Sequence, residues 1–126
     1  MTTKTKNIIS WSLAALVGFI FIGSAISKFL GSEETIEMAN GTGLSAETFM
    51  VIGLVEFVSV ILFLVPRTGL IGTLLLAAYM GGAIATHLTH GQSIIAPAFI
   101  EAIIWIVAVI RFPELKHRLL NSKKYD

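Results

Sequence analysis

Two apolar runs joined by a short polar turn decide the fold, and they occupy residues 49–89: FMVIGLVEFVSVILFLVPRTGLIGTLLLAAYMGGAIATHLT. A helix that crosses a membrane needs about 20 mostly apolar residues, with ~17 as the lower limit. Residues 49–65 and 69–89 both meet this length. Because the polar turn between them is so short, the two runs predict a tight antiparallel helical hairpin.

The rest of the chain extends the same pattern. Residues 8–30 and 94–110 are further apolar runs of spanning length, while residues 31–48 form the longest polar connection. Hydrophobic residues make up 55% of the 126 positions and charged residues 13%, about half the usual charged share. The sequence therefore predicts one all-α membrane domain over residues 1–126, a four-transmembrane-helix bundle.

The polar connection contains signals for a short helix. Ser32 can cap a helix whose first turns carry Glu33 and Glu34, and acids are favourable near a helix N-terminus. Gly41 and Gly43 predict its end, and Ser45 with Glu47 predicts the start of the second span.

Lysine and arginine set the predicted orientation. The positive-inside rule assigns the loops rich in these residues to the cytoplasm. Both termini are therefore expected in the cytoplasm of a bacterial inner membrane, and residues 31–48 outside it. The basic residues on the predicted cytoplasmic face are Lys4, Lys6, Arg67, Arg111, Lys116, Arg118, Lys123 and Lys124. A cleaved secretory signal is the alternative for the first span, but its apolar run is longer than a signal core.

Composition excludes several classes of function. A net charge of +1 gives no basic surface to hold nucleic acid. The absence of cysteine removes disulfides, thiolate metal ligands and any thiol redox step by this chain. No Glu-x-x-His pair supports a metal centre, so no metal site is predicted.

Small residues recur at every fourth position of the third span. Such rows allow helix backbones to approach closely in lipid. We therefore expect the third span to be the most contacted helix of the bundle, through the row Gly69, Thr73, Ala77, Gly81, Ala85 and Thr89.

Each apolar run contains one ionisable residue within it or at its end, and these are the candidate ligand-binding residues: Lys28, Glu56, His87 and Glu101. Counted along each helix, all four fall in the half of the membrane nearer residues 31–48. An ionised carboxylate in hydrocarbon costs several kcal/mol unless it is paired, hydrated or protonated. Two acids, one lysine and one histidine thus predict an outward-opening polar pocket in which a proton is shared. Ser24, Gly53, Ser59 and Trp105 are expected to support it.

Structural alternatives exist for each of these residues. Lys28 could extend its ammonium outward to the lipid headgroups, as lysines near helix ends do. His87 could lie at the interface or cap a helix end, and Glu56 could serve only to bind another helix. Glu101 follows Pro97 by one turn and could be structural for that reason.

Several motifs resemble those of a known family. A small residue precedes Lys28 by one turn, Gly-x-x-Glu ends at Glu56, Pro-Arg-Thr-x-x-x-Gly forms the hairpin, and Gly-Gly-Ala-x-x-Thr-His ends at His87. With RFPEL after the fourth span, this pattern resembles the DoxX-like family of small bacterial membrane proteins over nearly the whole chain.

The resemblance implies a function near membrane redox chemistry. The family takes its name from a subunit of an archaeal thiosulfate:quinone oxidoreductase, and relatives are linked to oxidoreductase complexes and oxidative stress. It implies an accessory component that binds a quinone or small amphiphile, with an oxidoreductase partner or a second copy of the chain. The alternatives are a proton-coupled carrier of a small solute and a non-enzymatic scaffold subunit.

Overall fold

The computed structural model describes residues 2–120, and every regular element in that range is a helix. This confirms the all-α class for the described residues; the predicted basic residues Lys123 and Lys124 lie outside them. The chain forms α1 (Thr3–Leu30), α2 (Glu33–Thr42), α3 (Ala46–Leu64), α4 (Gly69–Thr89), α5 (Ile95–Arg111) and α6 (Pro113–Leu120).

Side chains of serine and left-handed glycines set the bounds of α2, as predicted from the polar connection. The Ser32 hydroxyl accepts a hydrogen bond from the backbone N–H of Thr35, at 3.2 Å, and so caps the first turn. Gly31 ends α1 and Gly43 ends α2 with φ of 63° and 71°, a conformation that costs glycine nothing. Ser45 then caps α3.

The four long helices form a closed ring. Helix α1 packs against α3 and α5, and α4 packs against the same two helices from the other side, so α3 and α5 form one diagonal. The α3–α4 turn reverses the chain as expected for the hairpin. We call the end of the ring that carries α2 the α2 end, and the opposite end the Arg111 end. The core is formed by Ala14, Val17, Phe21, Val60, Phe63, Leu76, Met80, Ile104 and Val107.

Arg111 fastens the opposite end of the ring. Its guanidinium donates to the carbonyl oxygens of Phe63 and Leu64, at 2.8 and 3.2 Å, where the last carbonyls of α3 have no helical partner. The same group lies 5.1 Å from the ring centres of Trp11, Phe63 and Phe112. One side chain of α5 thus joins α1 and the end of α3.

The prediction for the small-residue row of the third span is wrong in the half nearer the α2 end, and the third span, α4, is not the most contacted helix. Gly69 and Thr73 are buried, but Gly81, Ala85 and Thr89 are exposed. A step of four residues advances by roughly 40° around an α-helix, so a long row turns away from the interface on which it begins. The close approach is made instead by Gly72, where a Cβ atom would overlap the backbone of Phe63. The most contacted helix is α3, which packs against α1, α2 and α4.

Three helices within residues 2–120 are long and apolar enough to cross a membrane: α1, α3 and α4. Helix α5 has 17 residues, about 26 Å of helical rise, which is at the lower limit for a span, and it counts as the fourth span when it is taken together with α6. The chain bends by 108° between these two helices at Phe112 and Pro113. The structure therefore supports three or four spans.

Candidate functional site

Lys28 lies near the end of α1, yet its ammonium turns back toward the middle of the bundle. The side chain is buried, and Nζ donates to Ser24 Oγ at 2.6 Å and to a carboxylate oxygen of Glu56 at 2.7 Å. Ser24 precedes Lys28 by one turn, so the lysine points inward along its own helix. This geometry contradicts an ammonium that reaches outward to the headgroups.

Glu56 is the acidic partner in this ion pair and is only 1% exposed. The two helices come together here because Gly53, one turn before Glu56, has no side chain. A Cβ atom at Gly53 would lie 3.0 Å from the Cβ of Lys28 and 3.4 Å from the carbonyl oxygen of Ala25. Gly53 therefore leaves the space in which the lysine stem crosses α3.

Tyr79 of α4 completes the cluster, and sequence reasoning missed it. Its hydroxyl donates to the same oxygen of Glu56, Oε2, at 3.1 Å. Phe21 packs edge-on against the tyrosine ring, with centroids 6.1 Å apart, and Lys28 Nζ lies 6.0 Å from the ring centre. A tyrosine inside an apolar run was the available signal, because a phenolic hydroxyl in hydrocarbon needs a polar partner.

A cavity of about 430 Å³ lies beside this cluster, between α3 and α4 at the α2 end. We call it the α3–α4 cavity. Val51 and Val55 of α3 and Ala83 of α4 form part of its apolar wall, and Met38 of α2 closes it from above. Its polar lining includes Lys28, Thr42, Tyr79, Thr86, His87 and Gln92. Glu56 does not line it, so the carboxylate is connected to the cavity through Lys28 and Tyr79.

His87 is half-buried and lines this cavity two turns beyond Tyr79. Its Nδ1 lies 2.7 Å from the carbonyl oxygen of Ala83. A carbonyl oxygen only accepts, so this contact requires the proton on Nδ1. The imidazole is thus tied to its own helix, with Nε2 left as its second polar atom.

Glu101 is not brought into the cluster. It is half-buried on α5, and within residues 2–120 no hydrogen bond or ion pair joins it to Lys28 or Glu56. Helices α3 and α5 lie on the diagonal of the ring, which separates the two acids. The cluster therefore has one carboxylate rather than the two expected.

Two of the four predicted supporting residues contact the cluster, and the other two do not. Ser24 and Gly53 contact Lys28 directly, as described above. The Ser59 hydroxyl donates to the carbonyl oxygen of Val55 on its own helix, at 2.6 Å. Trp105 is half-buried on α5 and does not line the α3–α4 cavity. In the described part of the chain no three histidine or acidic side chains form a group that could hold a metal ion.

These features define the class: a helical multi-pass membrane protein with a buried ion pair beside a largely apolar cavity. The chain belongs to the DoxX-like family, whose family model matches residues 12–110 and so includes Lys28, Glu56, Tyr79 and His87. Comparison with curated proteins and with solved structures gave no match.

Proposed function

We propose that this protein is a ligand-binding accessory component of a membrane redox or oxidative-stress system, and that the α3–α4 cavity holds a quinone or a similar small amphiphile. The observation that carries the proposal is the polar cluster at the base of an apolar cavity. Ligand sites are typically clefts of 300–1,000 Å³ with mostly apolar walls and a few placed polar groups, and the volume here falls in that range.

The position of the cavity suits a ligand that arrives from the lipid. Val51 and Val55 line the cavity and are also 61% and 49% exposed on the surface of α3, and the adjacent Gly82 is exposed on α4. The cavity wall is thus continuous with the apolar outer surface of the bundle. An amphiphile could enter sideways between α3 and α4 without crossing water.

The polar groups suit a ligand that carries oxygen acceptors. An ammonium has three N–H donors. Lys28 uses one for Ser24 and one for Glu56, which leaves the third for a ligand oxygen. His87 is eight residues, or about 12 Å of helical rise, beyond Tyr79 along α4. One carbonyl oxygen of a quinone could accept from the third N–H of Lys28 at the base. The Tyr79 hydroxyl, which donates to Glu56, could donate to the quinone instead when Glu56 is protonated. His87 and Gln92 would lie nearer the mouth.

We further propose four spans with both termini in the cytoplasm of the bacterial inner membrane. The distribution of charge supports this orientation. Arg67 and Lys116 are exposed at the Arg111 end, whereas Glu33 and Glu37 are exposed at the α2 end. In this orientation the α3–α4 cavity lies in the outer half of the membrane.

Retained small molecules test the proposal. The protein is purified in a mild detergent, extracted with organic solvent, and the extract is analysed by mass spectrometry and ultraviolet absorption for quinone. We expect quinone in near-stoichiometric amount. Transport of a solute driven by a pH gradient in proteoliposomes would instead indicate a carrier, and a stable protein partner without any bound small molecule would indicate a scaffold.

A paired variant locates the binding. Tyr79→Phe removes one hydroxyl from the cavity and should weaken binding of a short-chain ubiquinone about 5- to 10-fold, the value of one hydrogen bond of roughly 1–1.4 kcal/mol. Thr73→Val is the matched control, because it removes another buried hydroxyl of α4 that bonds only to the carbonyl oxygen of Gly69. Equal affinity in both variants would place the ligand elsewhere.

A further inference from the structure

We infer that a second cavity, between α1 and α2, is filled with water and connects Lys28 with the aqueous phase at the α2 end. This α1–α2 cavity has a volume of about 260 Å³. Lys28 lies at its base. Its walls are formed by Gly23, Ser24 and Ser27 of α1 and by Glu34, Thr35 and Met38 of α2, and Met38 separates it from the α3–α4 cavity. It is large enough for several water molecules and offers each of them polar partners.

The two cavities have opposite linings. The α3–α4 cavity has largely aliphatic walls, whereas the α1–α2 cavity has three hydroxyls, one carboxylate and one ammonium among its lining groups, with Met38 as its apolar side chain. The hydroxyls bond to one another and to Lys28, but the Glu34 carboxylate has no such bond within residues 2–120, and a charged group that faces hydrocarbon without a partner costs several kcal/mol. Water is therefore the occupant that satisfies the α1–α2 cavity, and lipid is the occupant that it disfavours.

The hydroxyls in the wall of the α1–α2 cavity are held in place by hydrogen bonds to one another. Ser27 Oγ lies 2.6 Å from Ser32 Oγ and 3.0 Å from Thr35 Oγ1, and these bonds tie the start of α2 to the last turn of α1. Ser24 Oγ accepts from Lys28 at the base of the cavity. The hydroxyls of α1 thus run on one side of the helix from the base of the cavity to its α2 wall.

Among residues 2–120, Lys28 is the only ionisable residue that lines both cavities. The charged and titratable groups around it are Glu34 of α2, Glu56 of α3, and Tyr79 and His87 of α4. When the ammonium passes one proton to Glu56, the neutral amine takes up one proton from the aqueous phase, relayed by the water in the α1–α2 cavity, so that the net change is the uptake of one proton. A protonated Glu56 can then donate to the Tyr79 oxygen, which frees the tyrosine O–H to donate to a ligand oxygen.

In this route protons enter through the α1–α2 cavity, and the ligand binds in the α3–α4 cavity. The role rests on the proposed function, because proton delivery matters only to a ligand that takes up protons, such as a quinone that receives electrons from an oxidoreductase partner. The presence of water beside Lys28 does not rest on it, and the two are tested separately.

Accessible thiols test for water, and the cysteine-free chain provides a clean background. Single variants Ser27→Cys, Glu37→Cys and Phe19→Cys are placed in phosphatidylcholine nanodiscs, which leave both faces open. A charged, water-soluble methanethiosulfonate reagent is added, and modification is followed by intact mass. Glu37 is an exposed position of α2, and Phe19 is 81% exposed on the apolar surface of α1.

Only a thiolate in contact with water reacts. We expect Ser27→Cys to react within about tenfold of the rate of Glu37→Cys, and Phe19→Cys to stay unmodified. Thr35→Cys probes the opposite wall of the same cavity in case the first variant fails to fold. A folded Ser27→Cys or Thr35→Cys protein as inert as Phe19→Cys would overturn the inference.

Blocking the cavity tests the route. Gly23 lines the cavity, and a Cβ atom there meets nothing within 4 Å, so Gly23→Leu can extend into the open space. It should slow the modification of Ser27→Cys at least tenfold. Gly81→Leu is the matched control, an equally open glycine on α4, and should leave the rate unchanged. Unchanged labelling in Gly23→Leu would show that water reaches Ser27 by another path.

A last arm separates this inference from the proposed function. Thr86→Cys, which lines the α3–α4 cavity, should be protected by a short-chain ubiquinone, whereas Ser27→Cys should not be protected. Absence of protection at position 86 contradicts the proposed ligand but leaves the water-filled cavity standing. Protection at position 27 contradicts the separation of the two cavities.

Discussion

Removing the two charges of the buried ion pair, singly and together, tests whether Lys28 and Glu56 depend on each other. Lys28 and Glu56 are 6% and 1% exposed and joined at 2.7 Å. Glu56 lines neither cavity, so its carboxylate cannot be hydrated in place of its partner. Lys28→Met keeps the length of the apolar stem and removes the charge. It leaves the Glu56 carboxylate with the Tyr79 hydroxyl as its remaining partner.

Removing one member of a buried pair costs about 3–5 kcal/mol, because the other charge stays buried without compensation. We expect that loss in the free energy of unfolding of Lys28→Met. Glu56→Gln should cost less, about 1–3 kcal/mol, since the amide oxygen still accepts from Lys28 and Tyr79. The double variant removes both charges, so its loss of unfolding free energy should be smaller than the sum of the two single losses, by about 2 kcal/mol or more.

Titration with sodium dodecyl sulfate, followed by far-ultraviolet circular dichroism, measures these free energies for the protein in mixed micelles. Lys4→Met with Glu37→Gln is the control pair, because both residues are exposed and lie at opposite ends of the bundle. Its losses should be small and additive. Additivity of the Lys28 and Glu56 losses within ~0.5 kcal/mol would refute a mutual, buried ion pair.

The remaining predictions concern packing and topology. Gly72→Ala should destabilise the bundle by about 1–3 kcal/mol or more, because the new methyl group overlaps the backbone of α3, while Gly81→Ala, in open space, should be neutral in the same titration. Arg111→Lys should cost roughly 1–3 kcal/mol, since an ammonium cannot reproduce the forked donation to two carbonyl oxygens; a loss below 0.5 kcal/mol would contradict the role of the fork. A reporter inserted near Asn40 should read external and one fused after the chain's end should read cytoplasmic; the opposite pattern would contradict the proposed orientation.

Local signals made the helices predictable from sequence. Apolar length indicates the spans, and Ser32 and Ser45 mark helix starts because each cap bonds to an N–H only three residues away. The same locality explains why the small-residue row failed as a guide. A period of four residues does not follow a helix of 3.6 residues per turn, so the row that begins at Gly69 beside α3 has turned into open space by Gly81. Gly72, which approaches α3 most closely, is outside the row.

The sequence by itself therefore determined an all-helical membrane chain and the presence of costly polar groups within its apolar runs. It could not pair them, because partners depend on how each helix is rotated about its axis and on which helices are diagonal in the ring. The tertiary structure alone decided that Lys28 turns inward to Glu56, that Tyr79 joins them, and that Glu101 is kept apart. The physical reason is that burial cost depends on residue type, while its compensation depends on neighbours from distant parts of the chain.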